Sequence, residues 1–230
     1  MSTFGELLRE MPVNFDEGAI PIRAGVCAEV ESAPATSIRD EQIHSLVQQL
    51  FFQPESGRAR NVGFTPVEES LQTAALCLDV AKALAEEGSY DVGLIDGGTG
   101  SAPLQEQLKI PPPIRAQVTW PVRARLWLVP HESWWPEADR QPITDQNLER
   151  LRELMTEFDF CIVCCAPVST LTARIGRNCD GLVLVLTANK TRRLVAAQVK
   201  DHLHKTKVPL LGTILEERRF PVPQGLYRSL

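Results

Sequence analysis

Two carboxylates, an amide and a hydroxyl mark the stretch where this chain could do chemistry. Glu68, Glu69, Gln72 and Thr73 follow a predicted strand, Asn61–Thr65, and lead into a predicted helix that ends near Glu87. A second predicted strand, Val92–Asp96, ends on a carboxylate and runs into Gly97-Gly98-Thr99-Gly100. A strand, a loop and a helix in that order is where α/β proteins hold phosphate, because the helix's first free N–H groups and its dipole both point at the loop. Gripping a triphosphate there takes glycines that fold the backbone into a nest of N–H groups, a Lys for the β- and γ-phosphates, and a Ser or Thr for Mg²⁺. This loop has Leu71 and Gln72 in the last two places before Thr73. Glu68 and Glu69 repel an anion, and side chains with a Cβ resist the positive φ that a nest requires. The residues therefore predict a vestigial nucleotide cleft of Ser70, Gln72, Thr73 and Asp96, with no catalytic and no metal-ligating residue. Asp96 also has a plainer reading, as a helix cap or turn former.

Other reactive side chains have bland readings. Cys161, Cys164 and Cys165 fall in a predicted buried strand, and six cysteines in 230 residues do not make a disulfide framework. Neighbours on a strand point to opposite faces, which weakens Cys164 and Cys165 as a redox centre. His202 and His204, two apart on a predicted helix, do not share a face for a metal. Trp134 and Trp135 sit in a predicted surface loop; they are candidate partner contacts, or they fold back on the domain.

The elements that would position these groups follow from apolar spacing. Ile43, Leu46, Val47, Leu50 and Phe51 share a face of a helix over Ser37–Phe52, with Ser37 as its cap. Residues 1–36 predict an irregular arm with a short amphipathic helix at Phe4, Leu7, Leu8 and Met11, and 37–230 a single domain closed by a 217–230 tail. Seven prolines between 109 and 142 exclude long helices there and leave a short strand over Arg125–Val129. Beyond it the order is helix 144–157, strand 160–164, helix 169–176, strand 181–187, helix 190–205, strand 210–215. These strands are apolar without alternation, as in parallel strands covered on both faces. The fold class is α/β, doubly wound, with a mainly parallel sheet flanked by helices.

Composition narrows the function. A hydrophobic fraction of 43% and a net charge of -5 suit a globular protein and exclude a strongly basic nucleic-acid binder. No run reaches the about 18 apolar residues of a membrane span, and Met-Ser-Thr-Phe-Gly-Glu is not a secretion signal. A cytoplasmic protein is expected.

Motifs in order then carry a resemblance. Glu68–Thr73 aligns without a gap to Pro-Gly-Glu-Gly-Lys-Thr, Leu94-Ile95-Asp96 to a strand ending Ile-Asp, and Phe158–Pro167 to Tyr-Asp-Tyr-Val-Ile-Ile-Asp-x-Pro-Pro, with Cys164 for the metal-associated Asp. Asp180–Val185 and Leu211–Leu215 match two later strands, and Glu216 replaces an Asn near the base. From Ser37 onward the chain resembles the cytoplasmic domain of bacterial tyrosine kinases of the capsule and exopolysaccharide type, in the MinD/ParA-like branch of P-loop ATPases. In that family a helix Glu-x-x-Arg-x-x-Arg packs between subunits; the matching stretch keeps Glu41 and has His44 and Val47 for the arginines. Glu41 and His44, with the two tryptophans, are thus the candidate oligomer and partner residues. The family's tyrosine cluster has no counterpart beyond Tyr90 and Tyr227.

Losing one preorganised donor costs about 10²–10³ in rate, and here several are replaced at once. The resemblance so implies a catalytically degenerate homologue: a regulatory or scaffolding partner in polysaccharide biosynthesis or export, with no cofactor expected. It would work beside a membrane-anchored chain-length or export protein, or an active paralogue, reaching the inner membrane through that partner, with a homo-oligomer open. Two alternatives stand: an ATP- and Mg²⁺-using ATPase or tyrosine kinase with a non-standard loop, and a MinD-like partition or division regulator.

Overall fold

The stretches Phe160–Cys165 and Gly181–Thr187 hold too many apolar side chains to leave either face in water, and both are interior strands of one sheet. The computed structural model describes residues 35–52, 59–69, 71–98, 102–111, 118–136 and 142–217. The elements are α1 (Ala35–Phe51), β1 (Asn61–Pro66), α2 (Leu71–Glu86), β2 (Val92–Gly97), α3 (Leu104–Gln107), β3 (Trp120–Arg123), β4 (Leu126–Val129), a 3₁₀ turn (His131–Ser133), α4 (Asp145–Met155), β5 (Phe160–Cys165), α5 (Thr170–Gly176), β6 (Gly181–Thr187), α6 (Arg193–Lys205) and β7 (Leu210–Glu216).

The seven-stranded sheet has the order β3-β4-β2-β5-β1-β6-β7. Only β3 runs antiparallel, paired with β4. Ile43, Val47 and Phe51 of α1 pack with α2 and with Phe64, Leu94 and Phe160 on one face. Leu148, Leu151 and Leu154 of α4 cover the other face with Ile95, Cys161 and Val163, and Leu203 of α6 packs with Leu182. This is the doubly wound architecture expected from the residues, its helices on both sides of a mainly parallel sheet.

Three local readings change. Helix α1 begins at Ala35, so Ser37 lies inside it and is not its cap. The stretch before Arg125 contributes an unpredicted edge strand, β3, which tolerates Pro121 because an edge position needs no N–H on its outer side. The segment after β4 is not a surface loop at its start, since Trp134 is fully buried.

Acidic residues fix the register at the N-terminal ends of the strands. Asp180 Oδ2 accepts from the N–H of Arg60 (2.7 Å) and of Asn61 (2.8 Å), tying β1 to β6. Asp159 Oδ2 accepts from the N–H of Asp91 (2.9 Å), tying β5 to β2. The opposite, C-terminal edge of the sheet is left for the candidate site.

Candidate functional site

The loop from β1 to α2 rises from the middle of the sheet, where an open α/β protein places a ligand beyond the strand ends. Val67 N–H donates to Val185 O (3.1 Å), pinning the loop's first residue to β6. Glu68 and Glu69 are exposed. Among the described residues of this loop and the first turn of α2 none has a positive φ, the conformation a nest of N–H groups uses. Ser70 lies outside the described residues.

Gln72, in the first turn of α2, donates Nε2–H to Glu217 Oε1, just past β7. Lys190 Nζ approaches the other oxygen of Glu217 at 3.5 Å. Thr73 is 2% exposed, and its Oγ1 has no hydrogen-bond partner. A hydroxyl so placed carries an uncompensated burial cost.

Asp96 ends β2 with 0% exposure. Its Oδ1 accepts from Gly98 N–H (2.9 Å) and its Oδ2 from Leu104 N–H (2.8 Å) at the start of α3. Gly98 takes φ +80, which suits glycine and lets the chain turn back over the carboxylate. His131 Nδ1, just past β4, lies 3.5 Å from Oδ2, and the main-chain oxygen of Asp96 accepts from Trp134 Nε1 (3.0 Å). Asp96 thus serves as both turn former and helix cap, and it gathers β2, α3 and the 3₁₀ turn around one side chain. No sequence pattern announces His131; only the pairing of β2 with β4, Ile95 opposite Val129, brings it to Asp96.

Cys164 lies opposite Asp96 in the ladder and is 1% exposed. Its thiol is held well above the ordinary range, first by a hydrogen bond with Cys77 on α2 and then by burial. Cys165 points to the other face, near Cys179, and burial raises its pKa too. All five described cysteines are free and buried. Among the described residues no group of three or more His, Cys, Asp or Glu could hold a metal ion.

The predicted partner residues are scattered. Glu41 is exposed on α1. His44 Nδ1 contacts Glu87 of the same chain at 3.2 Å, past the end of α2. Trp134 is in the core, which removes it as a contact residue, while Trp135 is half-buried beside it with ring centroids 5.9 Å apart.

Solved structures share this arrangement. The kinase domain of VpsO matches with a TM-score of 0.62 at 16% identity, covering 80% of this chain and 98% of that one. The kinase domain of the Escherichia coli tyrosine kinase ETK matches at 0.59 and 14% identity, covering 80% and 79%. A ParA family ATPase from Chlorobium tepidum matches at 0.53 and 16%, covering 74% and 78%. The chain has the fold of the bacterial tyrosine kinase domains and ParA-like ATPases. No protein-family model matches the chain, and no curated protein matches its sequence. Within this fold, the five motifs align to the loop from β1 to α2, the end of β2, β5, the start of β6 and β7. No helix among the described residues is long and apolar enough to cross a membrane.

Proposed function

We propose that the protein is a catalytically degenerate homologue of the exopolysaccharide-associated tyrosine kinase domain, acting through its surfaces as a regulatory or scaffolding partner. The observation that carries this reading is that, apart from Thr73, the groups positioned to grip Mg-ATP are replaced or already engaged. Both carboxylate oxygens of Asp96 accept backbone N–H bonds, Gln72 is tied to Glu217, and Cys164 is a neutral buried thiol where a metal-associated carboxylate would stand. Among the described residues, Glu68, Glu69, Glu216 and Glu217 lie along the same strand-end edge, with Lys190 3.5 Å from Glu217. That balance opposes a tetra-anion. The residues present do not fit a bound Mg-nucleotide, so no phosphoryl-transfer step is assigned.

The partner in this reading is a membrane-anchored polysaccharide chain-length or export protein, or an active paralogue, met in the cytoplasm at the inner membrane. Calorimetry of the purified chain with ATP, with and without Mg²⁺, should give no binding heat; a micromolar Kd would overturn the proposal. One feature favours a second reading. The orphaned Thr73 hydroxyl lies in the first turn of α2, where such a side chain could meet Mg²⁺. That reading requires thermal stabilisation by Mg-ATP which disappears in Asp96→Ala.

A further inference from the structure

Helix α6 turns Val199 and Leu203 inward, where they pack with Leu182 and Leu210. Its opposite side faces solvent over about 20 Å. Helical spacing lays Arg193, Lys200 and His204 in one exposed stripe, and Leu194, Asp201 and Lys205 in the stripe beside it. Between 190 and 207 the chain carries six lysines and arginines and one acid, within a protein whose net charge is -5. Among the described residues Arg192, Arg193, Lys200, Lys205 and Lys207 have no carboxylate partner, whereas Arg39, Arg123, Arg152 and Arg174 on other elements each meet one. Two of these cations also stand at the wrong end of their own helix. The dipole is positive at the start of α6, where Arg192 is the N-cap, Arg193 follows, and no side chain caps the free N–H groups. Both weaken the helix they begin, and an anion outside the chain is what they suit.

Leu194 decides which anion. It is 71% exposed, more than any other large apolar side chain among the described residues. An apolar tip flanked by arginines fits a lipid headgroup layer, because the leucine can enter the acyl boundary while the guanidinium groups stay level with the phosphates. The stretch 190–207 has no Phe, Tyr or Trp on which a nucleic-acid base could stack. We propose that the solvent face of α6 docks this chain directly on an anionic phospholipid surface, with Leu194 as the apolar anchor and Arg192, Arg193, Lys200 and Lys205 on the headgroups. The acidic remainder of the protein is repelled by the same surface, so charge also fixes which side of the domain turns to the membrane. The contact needs no partner protein, and this inference does not rest on the loss of nucleotide binding.

Co-sedimentation of the full chain with vesicles tests it. Phosphatidylcholine vesicles containing about 30% phosphatidylglycerol should pellet the protein at about 0.1 M salt, and phosphatidylcholine alone should leave it in solution. Raising the salt to about 0.5 M should release most of it. Each cation near the surface is worth about fivefold in partitioning, so Arg192→Gln combined with Arg193→Gln should weaken binding at least about tenfold, and Lys200→Gln with Lys205→Gln by the same factor. Leu194→Ser should weaken it about fivefold and leave the salt dependence in place. All five side chains are exposed, so each variant should keep the parent's circular dichroism. Failure to pellet with the anionic vesicles overturns the proposal. Binding of the parent's strength in both cation variants overturns it too, by placing the contact on another part of the chain. Duplex DNA that competes fully with the vesicles, together with no effect of Leu194→Ser, would assign the face to nucleic acid and overturn the lipid contact.

Discussion

Thr73 is the residue on which the two functional readings divide. Its hydroxyl is buried 2% exposed with nothing to bond, which costs about 1–3 kcal/mol against a satisfied or apolar group. If the cleft no longer meets a ligand, Thr73→Val removes that cost at constant shape and should raise stability by about 1 kcal/mol in urea denaturation. A loss of stability, or an affinity for Mg-ATP lost with the hydroxyl, would show that the group still has a partner in use. At this scale the sequence was legible as an expectation: Gln72, Leu71 and Cys164 stand where the resemblance places Lys, Gly and Asp. It was not legible for what replaces them. The contact between Gln72 and Glu217 joins residues 145 apart in the chain, and His131 reaches Asp96 only across the strand pairing.

At the scale of elements, the acidic residues of two family-like motifs explain themselves without any ligand. Asp180 satisfies the N–H groups of Arg60 and Asn61, donors that β1 would otherwise leave unpaired where it enters the sheet. Asp180→Ala should lower stability by about 2 kcal/mol, with faster hydrogen exchange at the amides of residues 60 and 61 than at the centre of β6. Equal exchange in the variant would mean that the register is held elsewhere. The inner strands were legible because continuous apolar runs leave no alternative to two-sided burial. Helix α4 was legible at its start because Thr144 accepts from Asn147 N–H (3.3 Å) and Asn147 returns a bond to the cap. Strand β3 and helix α3 were not. One is a four-residue edge strand containing Pro121, and the other is a single turn started by a carboxylate eight positions away. Trp134 was misplaced for a related reason: proline density suggests surface, whereas its indole N–H finds a buried acceptor in Asp96 O.

For the molecule as a whole, the buried thiols tie stability to alkaline pH. Burial, then the charge of Asp180, pushes Cys179 from its ordinary value of 9.0 up to about 12, and burial also raises Cys161. A folded-state pKa above the unfolded one gives stability that is complete below the unfolded value and is lost as pH rises through the folded one. Stability should therefore fall above about pH 9, by about 1.4 kcal/mol per pH unit for each such thiol. Cys179→Ala should make the decline shallower by that amount, as measured by denaturant titration at several pH values. An identical slope in the variant would contradict the burial of that thiol.

The sheet's two margins differ. Strand β3 ends one side with Pro121, exposed and lacking an N–H, and Arg123, also exposed, while β7 ends the other with a complete run of peptide groups. Among the described residues the β7 margin is therefore the one with the unbroken run, and two copies pairing antiparallel through it would be related by a twofold axis that turns both Pro121-bearing β3 margins outward.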